Sequence, residues 1–167
     1  MKNFGFLFLL IISIFSFGLK SLSLNQEEWE QHLEDITILD TDDIEKIVNS
    51  KSAILIDVWK KDIKPEKLDS KKWMPARRYS IPGAKWLPNV GLKIVTPEIR
   101  KYFEESLKVI TKENKDAKLV LFCRRGYYSK IASKRIVKMG YTNVFMYPGT
   151  DFWEDAGKRL VVIRAHK

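Results

Sequence analysis

The sequence predicts an α/β fold: a mostly parallel central sheet with helices on both faces. Two observations carry this reading. Residues 53–59, 118–122 and 143–147 are apolar runs of strand length, and segments of helical period alternate with them along the chain. Turn and cap signals separate the two kinds of segment, and no internal repeat or low-complexity tract interrupts them.

Residues 24–34 are polar with Trp29 and Leu33 at helical spacing, which predicts an N-terminal helix. Asp42 and Glu45 have capping-box spacing, and Ile44, Ile47 and Val48 give a short amphipathic helix ending near Asn49. The run 53–59 is broken only by Asp57, the pattern of a strand buried on both faces. Residues 60–80 show no period and contain Pro65 and Pro75. They read as a long excursion with one irregular helical turn, which draws interest to Trp73, Arg77 and Arg78. Ile81-Pro82-Gly83-Ala84 is a turn, and a short strand over 84–87 stops at Pro88.

Thr96 and Pro97 mark a helix start, a capping hydroxyl followed by proline at the first helical position. Ile99, Phe103, Leu107 and Ile110 then form an apolar stripe flanked by Tyr102. After the strand that ends at Cys123, a helix is expected from about Ser129 to Met139, burying Ile131, Ala132, Ile136 and Met139 and stopping at Gly140. A further strand over 143–147 closes in the turn Pro148-Gly149-Thr150, and Asp151 is expected to cap a short helix through Trp153 to Ala156.

Residues 1–3 carry one positive charge and 4–19 are apolar apart from serine and glycine, the pattern of a secretory signal peptide. Ser21 and Ser23 bracket Leu22, so a cut after Ser23 fits the small-x-small rule; an uncleaved anchor is the other reading, although the run is shorter than the roughly 20 residues of a spanning helix. The expected organisation is a signal peptide over 1–23, an extension over 24–39, one domain over 40–160 and a tail over 161–167. The domain is expected to be exported, most simply to a periplasm. Export to an oxidising compartment usually goes with paired cysteines, but Cys123 is alone, so the core must hold the fold together.

The formal net charge is +9, and +7 once Lys2 and Lys20 leave with the leader. Export and the lack of any nucleic-acid-binding motif argue against a nucleic-acid partner. Much of the excess lies in 60–78, at Lys60, Lys61, Lys64, Lys67, Lys71, Lys72, Arg77 and Arg78. A solvated surface is the plain reading; if the stretch folds over the Cys123 loop, it attracts small anions or an acidic partner protein. His32 and His166 with one cysteine give no recognisable metal site, and no cofactor is called for.

Cys123 is the most informative residue. It stands where the run 118–122 gives way to Arg124-Arg125-Gly126-Tyr127-Tyr128-Ser129 and then a helix. A thiol there faces free backbone N–H groups and the positive end of the helix dipole beside two arginines, all of which favour thiolate. The alternative is an inert buried cysteine. Gly126 allows the loop amides of residues 124–129 to form an anion nest. Arg124 and Arg125 read either as anion binders or as a solvated loop tip.

Taken in order, Leu55-Ile56-Asp57-Val58-Trp59, Ile81-Pro82-Gly83-Ala84, the six residues from Cys123 to Tyr128, Gly140-Tyr141-Thr142-Asn143-Val144, and Pro148-Gly149-Thr150 followed by Trp153 resemble a rhodanese-like domain over about 40–160. A closer likeness is to the exported rhodanese-like group associated with quinoprotein-dependent alcohol catabolism. It is carried by the signal peptide, Ile81-Pro82-Gly83 leading to Trp86-Leu87-Pro88-Asn89-Val90-Gly91, Pro97-Glu98, Tyr102-Phe103 and the segment from Tyr147 to Asp151. That group carries a Cys…Cys-Trp loop; Tyr127 and Tyr128 stand here at its second Cys and Trp, so no loop disulfide can form.

The resemblance implies a thiosulfate or persulfide sulfurtransferase, or a persulfide carrier, with Cys123 as nucleophile. Arg124, Arg125, Gly126, Tyr127, Tyr128 and Ser129 would hold a small sulfur-containing anion or persulfide, Ser129 also capping the helix. Tyr128 replaces the Arg or Thr often found at the sixth loop position, Ser80 the family's His, and Trp59 the strand's usual Arg. Asp57 is expected to orient backbone groups beneath the loop, and Trp86 and Trp153 to pack. Phosphatase relatives need Cys-x5-Arg, with arginine where Ser129 stands. The rival reading is a binding module that docks an exported quinoprotein dehydrogenase or cytochrome.

Overall fold

The computed structural model describes residues 36–74 and 77–167. The expected signal peptide, the helix over 24–34, His32 and Pro75 lie outside the described residues. Among these residues no helix is long and apolar enough to cross a membrane.

Four parallel strands form the central sheet: β1 (Ile54–Asp57), β3 (Lys85–Trp86), β4 (Leu119–Cys123) and β5 (Val144–Gly149), in the order β3-β1-β4-β5. Their register runs Ile54 with Leu119, Leu55 with Val120, Ile56 with Leu121 and Asp57 with Phe122. Beyond β5 the chain at 37–39 runs parallel to it, with Leu39 N–H donating to Met146 O at 2.8 Å. The helices are α1 (Thr41–Ser50), α2 (Pro97–Thr111), α3 (Tyr127–Lys138) and α4 (Thr150–Asp155).

Strand side chains alternate between faces, so each strand feeds two cores. Ile56, Val58, Leu119, Leu121 and Cys123 pack with Phe103 and Leu107 of α2 and Ala132 and Ile136 of α3. On the other side Leu55, Val120 and Phe122 meet Ile44 and Ile47 of α1, Tyr147, and Trp153 of α4. All five residues of β4 are buried, which explains its unbroken apolar run. The alternation also assigns Cys123 to the α2/α3 face.

Thr96 caps α2 as its sequence predicts. The cap of α1 is instead Asp40, whose Oδ1 accepts from Asp43 N–H at 2.8 Å, while Asp42 and Asp43 lie in the first turn near the positive dipole end. The chain enters the helix two residues earlier than the Asp42–Glu45 pair suggests. Trp86 and Trp153 are buried, with indole N–H groups donating to the carbonyls of Trp59 at 2.7 Å and Arg159 at 3.1 Å.

A second sheet pairs β2 (Arg78–Ser80) with β6 (Val161–Ile163) antiparallel, inside stretches with no predicted strand. Residues 161–167 are woven into the domain: His166 N–H donates to Trp86 O at 2.8 Å, and Tyr102 Oη donates to His166 O at 2.8 Å. Pairing at β2 carries Arg78 and Ser80 to the end of β1. There Asp57, fully buried, accepts from Arg78 Nε and from Ser80 Oγ, each at 2.6 Å, and from Trp59 N–H at 2.9 Å. Asp57 thus holds a backbone group of Trp59, which borders the Cys123 pocket, and through Arg78 and Ser80 it also secures the second sheet to the first. Burial pushes the Asp57 carboxyl up from its ordinary value, against the opposing charge and hydrogen bond of Arg78.

Removing Arg78 leaves that carboxylate buried without its charge partner. Arg78→Met is expected to lower stability by about 3–5 kcal/mol at pH 7. With the folded-state pKa raised further, the loss grows as pH climbs through the wild-type carboxyl's own raised pKa and shrinks below it. Urea unfolding at pH 4 and pH 7 measures both; an equal deficit at the two values contradicts the assignment.

Candidate active site

The ladder between β4 and β5 slips at the end of β4. Leu121 pairs with Met146, but Cys123 pairs with Gly149. Bulges of this kind re-aim a side chain and end strand pairing. Gly149 makes the slip possible. Its φ is +143°, and a Cβ there would lie 2.5 Å from the carbonyl carbon and oxygen of Arg124 and 2.7 Å from Cys123 O.

From Cys123 the chain turns through Gly126, in the left-handed region with φ +89°, directly into α3. The helix thus begins at Tyr127 rather than near Ser129. Its first turn has no side-chain cap and no acidic residue. The amides of Tyr127, Tyr128 and Ser129 have no intrahelical acceptor, and the dipole end above the thiol is uncompensated. Ser129 therefore does not cap the helix: its hydroxyl donates to Gly126 O at 3.0 Å and stands 3.9 Å from Cys123 Sγ.

Cys123 is 1% exposed, yet it lines an open pocket of about 330 Å³ with Trp59, Arg124, Arg125 and Tyr127. The residue thus borders the pocket while also packing in the core with Ile56, Leu121, Ala132 and Ile136. Of the loop residues singled out in the sequence, Cys123, Arg124, Arg125 and Tyr127 form the pocket wall. Tyr128 backs it, its ring edge-on to Trp59 and Tyr127 with both centroid separations 5.3 Å. Gly91 lies against the Tyr128 backbone so closely that a Cβ would overlap the Tyr128 carbonyl oxygen. No described residue of the lysine-rich excursion lines this pocket.

Trp59 belongs to the site although its sequence context shows only a strand end. The available signal is topological: β1 and β4 are parallel neighbours, so the residues that follow them emerge at the same sheet edge. Arg78 places its guanidinium carbon 5.7 Å from the Trp59 ring centroid, returning a cation to the strand end where tryptophan stands.

Asp151 is the other residue that sequence reasoning assigned differently. It lies inside the first turn of α4, whose N-cap is Gly149. Its carboxylate accepts from Arg124 Nε at 2.8 and 3.2 Å and from Arg125 Nε at 2.6 Å. Both arginines are therefore oriented by one carboxylate, with side chains 56% and 74% exposed against 15% for Asp151. Partial burial opposes ionisation of Asp151, but the hydrogen bonds and charges of Arg125 and Arg124 outweigh it and hold the carboxyl below its ordinary value. Among the described residues no cluster of His, Cys, Asp or Glu could hold a metal ion.

Because the loop needs a bare backbone opposite Cys123, Gly149→Ala is expected to cost on the order of 3 kcal/mol through overlap and φ strain. Chemical denaturation measures the loss, and a change below about 0.5 kcal/mol would contradict the close approach.

Residues 25–150 match the rhodanese-like domain family. Among solved structures, a protein of unknown function from Rhodopseudomonas palustris, described as a possible tyrosine phosphatase, is similar with a TM-score of 0.51 and 19% identity, covering 80% of this chain and 90% of its own. The polysulfide-sulfur transferase homodimer of Wolinella succinogenes gives a TM-score of 0.48 and 18% identity, over 86% of this chain and 91% of that one. A human single-domain sulfurtransferase gives 0.43 and 20%, over 71% and 95%. No curated protein matches the sequence. The structural likenesses speak to fold alone, whereas the family match spans most of the chain, including the Cys123 loop: this protein belongs to the rhodanese-like domain family.

Proposed function

We propose that the protein is a sulfurtransferase or persulfide carrier in which Cys123 accepts a sulfane sulfur and passes it to a nucleophile. The observation that carries this reading is the placement of Cys123: it lines a pocket together with Arg124 and Arg125, beside a helix start with no side-chain cap. Membership of the family supports the same chemistry.

The Cys123 thiolate attacks the outer sulfur of thiosulfate. A sulfur–sulfur bond forms to Cys123, the donor's sulfur–sulfur bond breaks, and its electron pair leaves with sulfite. An acceptor thiolate then attacks the outer sulfur of the persulfide and regenerates the Cys123 thiolate. No general base is required. The loop and helix amides favour the terminal persulfide charge, and the arginines favour an anionic donor. The Ser129 hydroxyl is placed to turn from Gly126 O toward sulfur when the sulfur is charged. Trp59, Tyr127 and Tyr128 make the surroundings aromatic, which favours organic or protein-borne persulfides. An exported location, through the N-terminal segment, is part of this proposal.

The 1% exposure of Cys123 favours a second reading, a binding module for an exported dehydrogenase or cytochrome in which the thiol is incidental. Mass spectrometry after incubation with thiosulfate or a small persulfide separates the two. Gain of one sulfur on wild type and none on Cys123→Ser is expected; a wild type that gains none while Cys123 stays reduced refutes sulfur transfer.

Asp151 competes with any anionic donor for the two arginines. Asp151→Asn is expected to raise the rate of sulfur loading from thiosulfate about fivefold and leave loading from an uncharged donor unchanged. The same substitution tests the pairing itself. With the folded carboxyl below its ordinary value, the contribution to stability is present above about pH 4 and lost as pH falls through the folded pKa. The variant is therefore less stable than wild type at pH 7, and the difference shrinks as pH falls through the folded pKa, as read by urea unfolding.

A further inference from the structure

A second cleft, of about 580 Å³, opens between the first half of α2, the end of α3 and the segment at 90–95. It shares no lining residue with the Cys123 pocket. Its floor is apolar, made by Val90, Ile99, Phe103 and Met139, and Ile94 stands 86% exposed at its edge. Around this floor stand Lys93, Arg100, Arg135 and Lys138, against one lining carboxylate, Glu104.

Arg135 is fixed in place. Its terminal nitrogens donate to the carbonyls of Val90 and Lys93, so it is tied to the backbone of the cleft, and it pairs with no carboxylate among the described residues. Burial, and then the charge of Arg100, push the Arg135 guanidinium below its ordinary pKa. Among the described residues Glu104 pairs with neither arginine within 4.0 Å. Two like charges beside an apolar floor are stabilised by an anion between them, and the floor is covered by an apolar body attached to it.

The dimensions select the kind of occupant. The α2 wall runs from Ile99 to Glu104, a rise of only about 8 Å. A docked partner helix needs anchors at i, i+4 and i+7, spread over about 10 Å or more. The volume instead lies within the roughly 300–1,000 Å³ of small-molecule sites. The geometry points to a binding site for a small organic anion, a carboxylate or sulfonate on an alkyl or aryl body, its charge held by Arg100 and Arg135 and its body laid on Phe103 and Met139.

Decanoate is a suitable probe, followed by calorimetry and by backbone amide shifts on the whole protein. Saturable binding of one decanoate, with shifts at Ile94, Ile99 and Phe103, is expected in wild type and in Cys123→Ser alike. Arg100→Gln and Lys138→Gln, both at exposed positions, should each weaken binding about fivefold without changing the unfolding midpoint. Decanol and decylamine should bind at least tenfold more weakly. The assignment is overturned if decanoate fails to saturate, if its shifts fall on the Cys123 loop, if Arg100→Gln binds as tightly as wild type, or if decanol binds equally well.

Discussion

The Cys123 loop keeps its shape because the chain opposite it, at Gly149, has no side chain. Backbone there presses on the Cys123–Arg124 peptide, shifts the β4–β5 register and turns the chain out of the sheet. Two residues later the same segment delivers Asp151 to the arginines, and Asp151 N–H donates to Arg124 O at 3.3 Å. One close approach therefore sets the path of the loop, the start of α3 over the sulfur, and the direction of both guanidinium groups. The same packing puts the two arginines and the helix start beside Cys123.

At the neighbouring strand end the constraint is electrostatic. Asp57 is buried with Arg78 and Ser80, and the side chain of Arg78 is only 10% exposed. One of its terminal nitrogens, Nη2, is buried without a hydrogen-bond partner among the described residues. An arrangement that leaves a donor unsatisfied is weak evidence for net stability and stronger evidence for a fixed position. What it fixes is the second sheet, and with it Trp59 beneath the Arg78 guanidinium and beside the pocket.

The parallel sheet, the major helices and the nucleophile candidate were legible in the sequence because each rests on local or periodic information. Residues 118–122 announce a strand buried on two faces, Thr96-Pro97 a helix start, and the placement of Cys123 between strand and helix a thiol under a dipole. Long-range pairing was not legible. Arg78-Tyr79-Ser80 is polar and becomes a strand only because Val161–Ile163 meets it. Asp151 has the chemistry of a cap and the right spacing for one; that it serves Arg124 and Arg125 depends on Gly149 bringing two distant turns together. The beginning of α3 was misplaced by two residues for a similar reason, since a glycine in the left-handed region replaces the expected hydroxyl cap.

The strand that completes the second sheet is made last. While β1, α2, β4, α3 and β5 can collapse on one another first, β2 has no partner until Val161–Ile163 joins it, and Trp86 lacks its contact with His166. Arg78 lies 21 residues from Asp57, but the β2–β6 pairing that holds its strand in place waits on a much larger loop closure. During that interval the end of β1 and the edge of β3 are open to other chains. Assembly of this rhodanese-like domain thus has a vulnerable phase at its close, when a chaperone that shields strand edges would matter most.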